Sequence, residues 1–302
     1  MDRVWLRFKS CDLERQYDAY MFRGLFWRSD GRFLWFTVAF LTAMFCEPTP
    51  SSTHKVFYVV MILAFIWAAL WRREKEAQTL MAQRTAFVMG VKLFHQVMMA
   101  LARPFMCHAF ALPSNTLLAV ARTLMMNDVM CFVMNSLVFR LKFRYHIFFN
   151  TPLMVIMLFS RVKTFCHCAL QSPGGPGLLE VERIVDIFAR GSSSCLHAPY
   201  VLFMRTRGPY VPCYQIAMFI QLFFGIFVTS YVMWVLEHRS RVHFILHMRA
   251  NQNAVELPDI AHLRASWFRH FTTIGIVMVL SWDYCDWVPA IIQKWGILVF
   301  DD

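Results

Sequence analysis

Three observations predict an all-α fold, a polytopic bundle of six or seven transmembrane helices. The first is composition: the 302-residue chain is 58% hydrophobic and only 16% charged, whereas a soluble domain carries about 25% charged residues. A soluble fold with 30 Phe and 20 Met would have more apolar surface than its core could hide. The second is a succession of long apolar runs separated by short polar segments. The third is the placement of the basic residues. The net charge is +11 and the pI near 9.4, but Lys and Arg lie in clusters between the runs, as at membrane flanks. That placement argues against nucleic acid as a partner.

Residues 1–32 are charged throughout and hold no apolar core of a signal peptide. They predict an amphipathic helix capped by Asp12, with Leu13, Tyr17, Tyr20 and Met21 on one face, followed by a turn. That face suits either the headgroup layer or the bundle. The first apolar run, Phe33 to Cys46, is short against the ~20 residues that cross the hydrocarbon. Snorkelling of Arg32 would extend it. "EPTPSSTHK" at 47–55 predicts a tight loop. Val56 to Trp71 is the cleanest span, with Trp67 and Trp71 towards one end. A polar block at 72–84 precedes the third run, Thr85 to Ala102. The fourth covers Thr116 to Phe139 and the fifth Ile147 to Ser160. Residues 161–210 predict an extramembrane loop, with a turn at "SPGGPG" (172–177) and a short helix at 178–190. The sixth run, Val211 to Leu236, can span with tilt. A basic, His-rich stretch follows at 237–249, and the seventh run starts near Phe271. The chain thus divides into an N-terminal segment (1–32), a first membrane block (33–160), a loop (161–210) and a second block (211–302) whose connecting segment, 237–270, is basic.

If all seven runs span, the segments 1–32, 72–84, 140–146 and 237–270 share one side and hold nineteen Lys and Arg, against nine on the other. The bias predicts a cytosolic N-terminus. If one short run fails to cross, the later orientation flips.

Within the third run, Lys92, His95, Gln96 and Met99 share a helical face. Lipid penalises that face, so it should point into the bundle or a wet cavity. In the fourth run Asp128 and Asn135 share a face, with Cys131 between them. An ion pair between Lys92 and Asp128 would reduce the desolvation cost of both. Lys92, His95, Gln96, Asp128 and Asn135 are therefore the candidate intramembrane polar site, and inert bundle glue is the competing role. Arg122 is read as snorkelling. Gln221, Gly225 and Thr229 form a stripe in the sixth run, which predicts close helix packing at Gly225 with Gln221 bonding across.

Cys166, His167 and Cys168 stand together, with Cys195 and His197 some thirty residues on. "CHC" leaves one residue between its thiols, fewer than a zinc knuckle needs. In an oxidising compartment Cys168–Cys195 is the candidate disulfide; in a reducing one these are small apolar residues. "WDYCDW" at 282–287 sets Asp283 and Asp286 between two tryptophans, as in an interfacial belt. His243 and His247 share a face beside Arg239, Arg241 and Arg249, and with His238 predict attraction to anionic headgroups. No metal site and no cofactor are expected. The chain holds no phosphate loop, dinucleotide turn, nucleophile elbow or potassium filter.

The expected function is a non-enzymatic structural, scaffold or sensor component of a membrane. The expected partners are the bilayer, anionic lipid headgroups, and other membrane proteins or a second copy. A transporter or channel built on Lys92, His95 and Asp128 is the alternative. A lipid-modifying enzyme using Asp283 and Asp286, or the His243/His247 face, is the other.

Overall fold

The computed structural model describes residues 5–46, 52–74, 77–102, 129–192, 210–251 and 267–294, with isolated positions at 115, 118 and 123. The described residues are almost wholly helical and form no strand. In chain order the helices are α1 (Cys11–Met21), α2 (Trp27–Phe45), α3 (Ser52–Glu74), α4 (Ala77–Ala102), α5 (Val129–Val138), α6 (Phe143–Leu170), α7 (Gly175–Ser192), α8 (Tyr210–Phe219), α9 (Thr229–Asn251) and α10 (Trp267–Lys294). Two π-helical segments, Phe22–Phe26 and Ile220–Val228, join α1 to α2 and α8 to α9.

Among the described residues two helices are long and apolar enough to cross a membrane: Lys55–Arg73, and the long helix Pro212–Arg249. His270–Trp282 is apolar but shorter.

The chain divides into two units. The first comprises Met1–Met106, Met134–Thr151 and Thr229–Arg264. Here α2 packs along α3, and α3 on α4. Phe33, Leu34, Leu41, Met61, Phe65, Val88 and Phe139 fill the centre, and Ala68 and Ala69 are buried with them. Small residues at such a contact let the two helices approach closely. Phe33 stacks on Phe139 at 5.1 Å and Trp71 on Phe87 at 5.0 Å. A second cluster joins α1 to α9 through Phe8, Tyr17, Met21, Phe244 and Ile245.

Two details of the N-terminal segment differ from expectation, and one of its two expected placements is observed. Ser10, not Asp12, caps α1, its hydroxyl accepting from the Leu13 amide. Asp12 sits in the first helical turn, where it complements the helix dipole instead. No turn follows α1, because a π segment carries the helix into α2. The face of Leu13, Tyr17, Tyr20 and Met21 lies against Phe244 and Ile245, so protein covers it.

The second unit comprises Cys107–Val133, Pro152–Val228 and Ala265–Asp302. Here α8 packs on α10 and α7. Phe219 meets Trp282 edge-on at 5.0 Å, and the Trp282 indole N–H donates to Asp186 on α7 at 3.4 Å. A disulfide, Cys166–Cys213, ties α6 to α8. The segment 161–210 begins inside α6, which runs on to Leu170. The turn then occupies residues 171–174, and α7 opens at Gly175. In that turn the Ser172 amide donates to the Ala169 carbonyl and the Gly175 amide to Ser172. Pro152, which cannot donate a helix hydrogen bond, stands inside α6 where the chain passes from the first unit to the second.

Candidate functional site

Buried polar groups of the first unit form three clusters among the described residues. α4 contributes Arg84, Lys92, His95 and Gln96, exposed by 7%, 4%, 9% and 4%. Its opposite side carries Leu93, Val97 and Leu101, exposed by 46%, 47% and 55%. The helix therefore turns its polar stripe inward and its apolar stripe outward, the reverse of a helix on a water-soluble core. His95 meets the Phe65 ring edge-on at 6.1 Å.

The first cluster centres on Asp30, in the opening turn of α2. Arg84 grips it with a fork, Nε to Oδ2 at 2.7 Å and Nη2 to Oδ1 at 2.9 Å. The Arg84 guanidinium lies 3.7 Å over the Phe26 ring. Arg72, from the last turn of α3, stacks at 4.7 Å over Trp27, and its Nη1 lies against Gly31, where a methyl group would press on it. Arg72 and Lys92 both interact electrostatically with Asp30. Lys92 Nζ is buried and donates no hydrogen bond among the described residues.

The second cluster ties the N-terminal segment to α9. Arg241, 1% exposed, donates to Glu14 from Nη1 at 2.7 Å and Nη2 at 2.9 Å, and to Glu237 at 2.7 Å. Lys142 bridges Glu14 at 3.1 Å and Asp18 at 2.6 Å. The Phe8 amide donates to Glu14 and the Phe143 amide to Glu237. Tyr17 and Phe8 present their rings to Arg241 at 4.2 and 4.9 Å. Burial by itself would raise the Glu14 carboxyl. The bonds and charge of Arg241, the charge of Lys142 and the Phe8 amide outweigh it, and hold the group at about 2 against an ordinary 4.5. Beside this cluster lies a water-sized cavity of about 30 Å³, lined by Tyr17, Asp18, Arg140, Lys142, Glu237 and Ser240 among others.

The third cluster is neutral. Asn150 Nδ2 lies 2.6 Å from His146 Nδ1 and donates to the Ser136 hydroxyl at 3.2 Å. His146 Nε2 lies 3.2 Å from the Ser230 hydroxyl.

Of the residues singled out from sequence, Lys92, His95 and Gln96 lie together in this interior. Asp128 and the Asn135 side chain lie outside the described residues, so the charged groups facing Lys92 here are Asp30 and Arg84. Gln221, Gly225 and Thr229 are all buried. Gly225 receives the Met154 side chain, whose terminal methyl fills the space of a Cβ; a side chain, not a backbone, makes the close approach. Cys168 is disulfide-bonded, and Cys195 lies outside the described residues, as do the Asp283 and Asp286 side chains. Cys166, which the sequence reading left without a partner, pairs with Cys213.

Arg241, read from sequence as part of a headgroup-binding stretch, is instead sealed between two carboxylates. His243 and His247 are exposed, but Tyr20 covers their face, its hydroxyl 2.8 Å from His243 Nδ1 and its ring 5.6 Å from the His247 ring. No group of three or more metal-ligating side chains occurs among the described residues. The sequence reading missed the Glu14–Arg241–Glu237 and Asp30–Arg84 pairings. The available signal was acidic residues inside otherwise basic flanks, Glu14 and Asp30 in 1–32 and Glu237 in 237–270. Neither a protein-family model nor a curated protein nor a solved structure matches this chain.

Proposed function

We propose that this chain is a multi-pass membrane protein of six or seven spans with its N-terminus in the cytosol. Its role is non-enzymatic, as a structural, scaffold or sensor component. One observation carries the reading: α4 buries Arg84, Lys92, His95 and Gln96 while exposing Leu93, Val97 and Leu101. In water that arrangement costs twice, once for the desolvated charges and once for the exposed aliphatic side chains. In a bilayer the exposed stripe faces lipid, and the buried stripe is where ionisable groups must go. Other helices repeat the outward display, with Trp35, Phe36 and Phe40 on α2, and Val56, Leu63 and Trp67 on α3. The disulfide Cys166–Cys213 suits the positive-inside count, which sets 161–210 on the side away from the cytosol, where disulfides persist.

The buried ion pairs support a structural role. Carboxylate and guanidinium hold one another in fixed geometry, as in a scaffold. Lipid in contact with the apolar stripes is the principal partner, and anionic headgroups meet the cytosolic basic segments. Buried Lys92 gives specific support to the second reading, a transporter or channel, because an intramembrane ammonium commonly marks an ion path. Alkaline extraction of membranes tests the first reading. The chain should stay in the membrane pellet and enter solution only with detergent; release into the alkaline supernatant would contradict it. Ion or solute flux in reconstituted vesicles that vanishes in Lys92→Met would move the assignment to the second.

A further inference from the structure

The two charged clusters of the first unit differ in balance. Around Arg241, the cations Arg241 and Lys142 face three carboxylates, Glu14, Asp18 and Glu237. Around Asp30, three cations, Arg72, Arg84 and Lys92, face one carboxylate among the described residues. Arg84 presents its Nε/Nη2 edge to Asp30. The same edge of Arg72, Nε and Nη2, is buried and has no acceptor among the described residues, and neither has Lys92 Nζ. A buried lysine can shed its proton, but a guanidinium cannot. Arg72, a half-buried residue, therefore keeps its charge with a fork-shaped pair of buried donors, the geometry that matches a tetrahedral oxyanion.

We propose that Arg72, Arg84 and Lys92 form a binding site for a phosphate monoester group. With Lys92 protonated, the surplus of two positive charges among the described residues fits a monoester, which carries about −1.5 to −2 at neutral pH. Arg72 Nε and Nη2 grip two of its oxygens, while Lys92 and Arg84, the latter held by Asp30, supply field. Trp27 and Phe26, stacked against the two guanidiniums, keep water from the cations. The source is either a lipid such as phosphatidate or a free phosphate. A lipid source rests on the membrane reading above, which sets the end of α3 and the start of α4 on the cytosolic face; the site itself does not.

The test uses the full chain in a neutral sugar detergent and reads its melting temperature. The titrants are dioctanoyl phosphatidate and inorganic phosphate, with dioctanoyl phosphatidylcholine and dioctanoylglycerol as controls. Phosphatidate should stabilise saturably while both controls leave the temperature unchanged. Lys92→Met and Arg72→Met should each weaken the half-saturation point by roughly tenfold or more. Lys92→Met should fold at least as well without ligand, since it removes a buried unpaired charge. Arg239→Gln, on the exposed side of α9, should respond as the wild type does. A response to phosphatidate alone assigns a lipid; an equal response to inorganic phosphate assigns a soluble anion. No response to either phosphate overturns the site, as does an undiminished response in Lys92→Met. A wild type indifferent to phosphate, with Lys92→Met and Asp128→Asn equally destabilised, also overturns it and gives Lys92 to Asp128. A chain that stays monodisperse without detergent overturns the membrane reading and the lipid source, while the inorganic phosphate arm still decides the site.

Discussion

Replacing Glu14 by Gln removes the acceptor that anchors the N-terminal segment to α9. Glu14 is 8% exposed and receives both terminal nitrogens of Arg241, the Lys142 ammonium and the Phe8 amide. An exposed ion pair would be worth under about 1 kcal/mol; this one is buried. Two independent routes give its magnitude. Removing one partner of a buried pair costs about 3–5 kcal/mol, and Glu237 stays bonded to Arg241, which points to the lower end. Lowering a carboxyl from 4.5 to about 2 corresponds to about 3 kcal/mol at neutral pH. In a protein of this size the loss appears as a melting temperature roughly 5 °C lower. The acid dependence carries a sign. Because folding depresses the Glu14 carboxyl, its contribution is complete above about 4.5 and fades as the pH falls towards 2. Melting curves in mild detergent from pH 7 down to pH 2 measure both effects. Glu14→Gln should lie below the wild type at pH 7, and the two should converge at the acid end. A variant within about 1 °C of the wild type at pH 7, or one that parallels it all the way down, would refute the reasoning.

Asp30→Asn leaves buried Arg84 and Lys92 and half-buried Arg72 without their shared carboxylate and should cost about 3–5 kcal/mol; adding Arg84→Met should recover part of the loss in the same melting assay. The Cys166–Cys213 bridge closes a sequence separation of 47 residues, so the double serine variant should lose up to about 4 kcal/mol, and a membrane-impermeant reductant on sealed, cytosol-outward vesicles should leave the bridge intact. Gly225→Ala should be nearly neutral, because the Met154 methyl can move aside and the helix gains up to about 1 kcal/mol from losing a glycine. Gly225→Leu should cost about 1–3 kcal/mol by overpacking, with chemical denaturation as the readout.

Local chemistry made much of the fold legible. The apolar run from Val56 and the charges after Trp71 marked α3, and the spacing of Lys92, His95 and Gln96 set them on one face, buried on α4. The spacing of Tyr17 and Met21 marked the inner face of α1. What the sequence hid was long-range partnership. Asp30 and Arg84 are 54 positions apart, and Arg241 and Glu14 are 227 apart; no periodicity links such distant residues. Arg241 stands among Arg239, His243 and Arg249, so its pattern is that of a solvated flank, and only the approach of α1 reveals a sealed ion. The π segment at Ile220–Val228 was equally hidden, because a nearly uniform apolar run carries no phase from which a change of winding could be read. The disulfide partner of Cys166 depended on α6 extending to Leu170, through residues whose charges, Arg161 and Lys163, marked the end of a span.

Side-specific labelling of single introduced cysteines tests the membrane topology most directly. In sealed vesicles with the cytosolic face outward, a membrane-impermeant maleimide should label a cysteine placed at Arg15, and should label one at Arg183 only after the vesicles are opened. Both positions lie outside the apolar runs, and both side chains are exposed. Labelling of Arg15→Cys and Arg183→Cys with equal speed in sealed vesicles would place α1 and α7 on the same side and contradict the account.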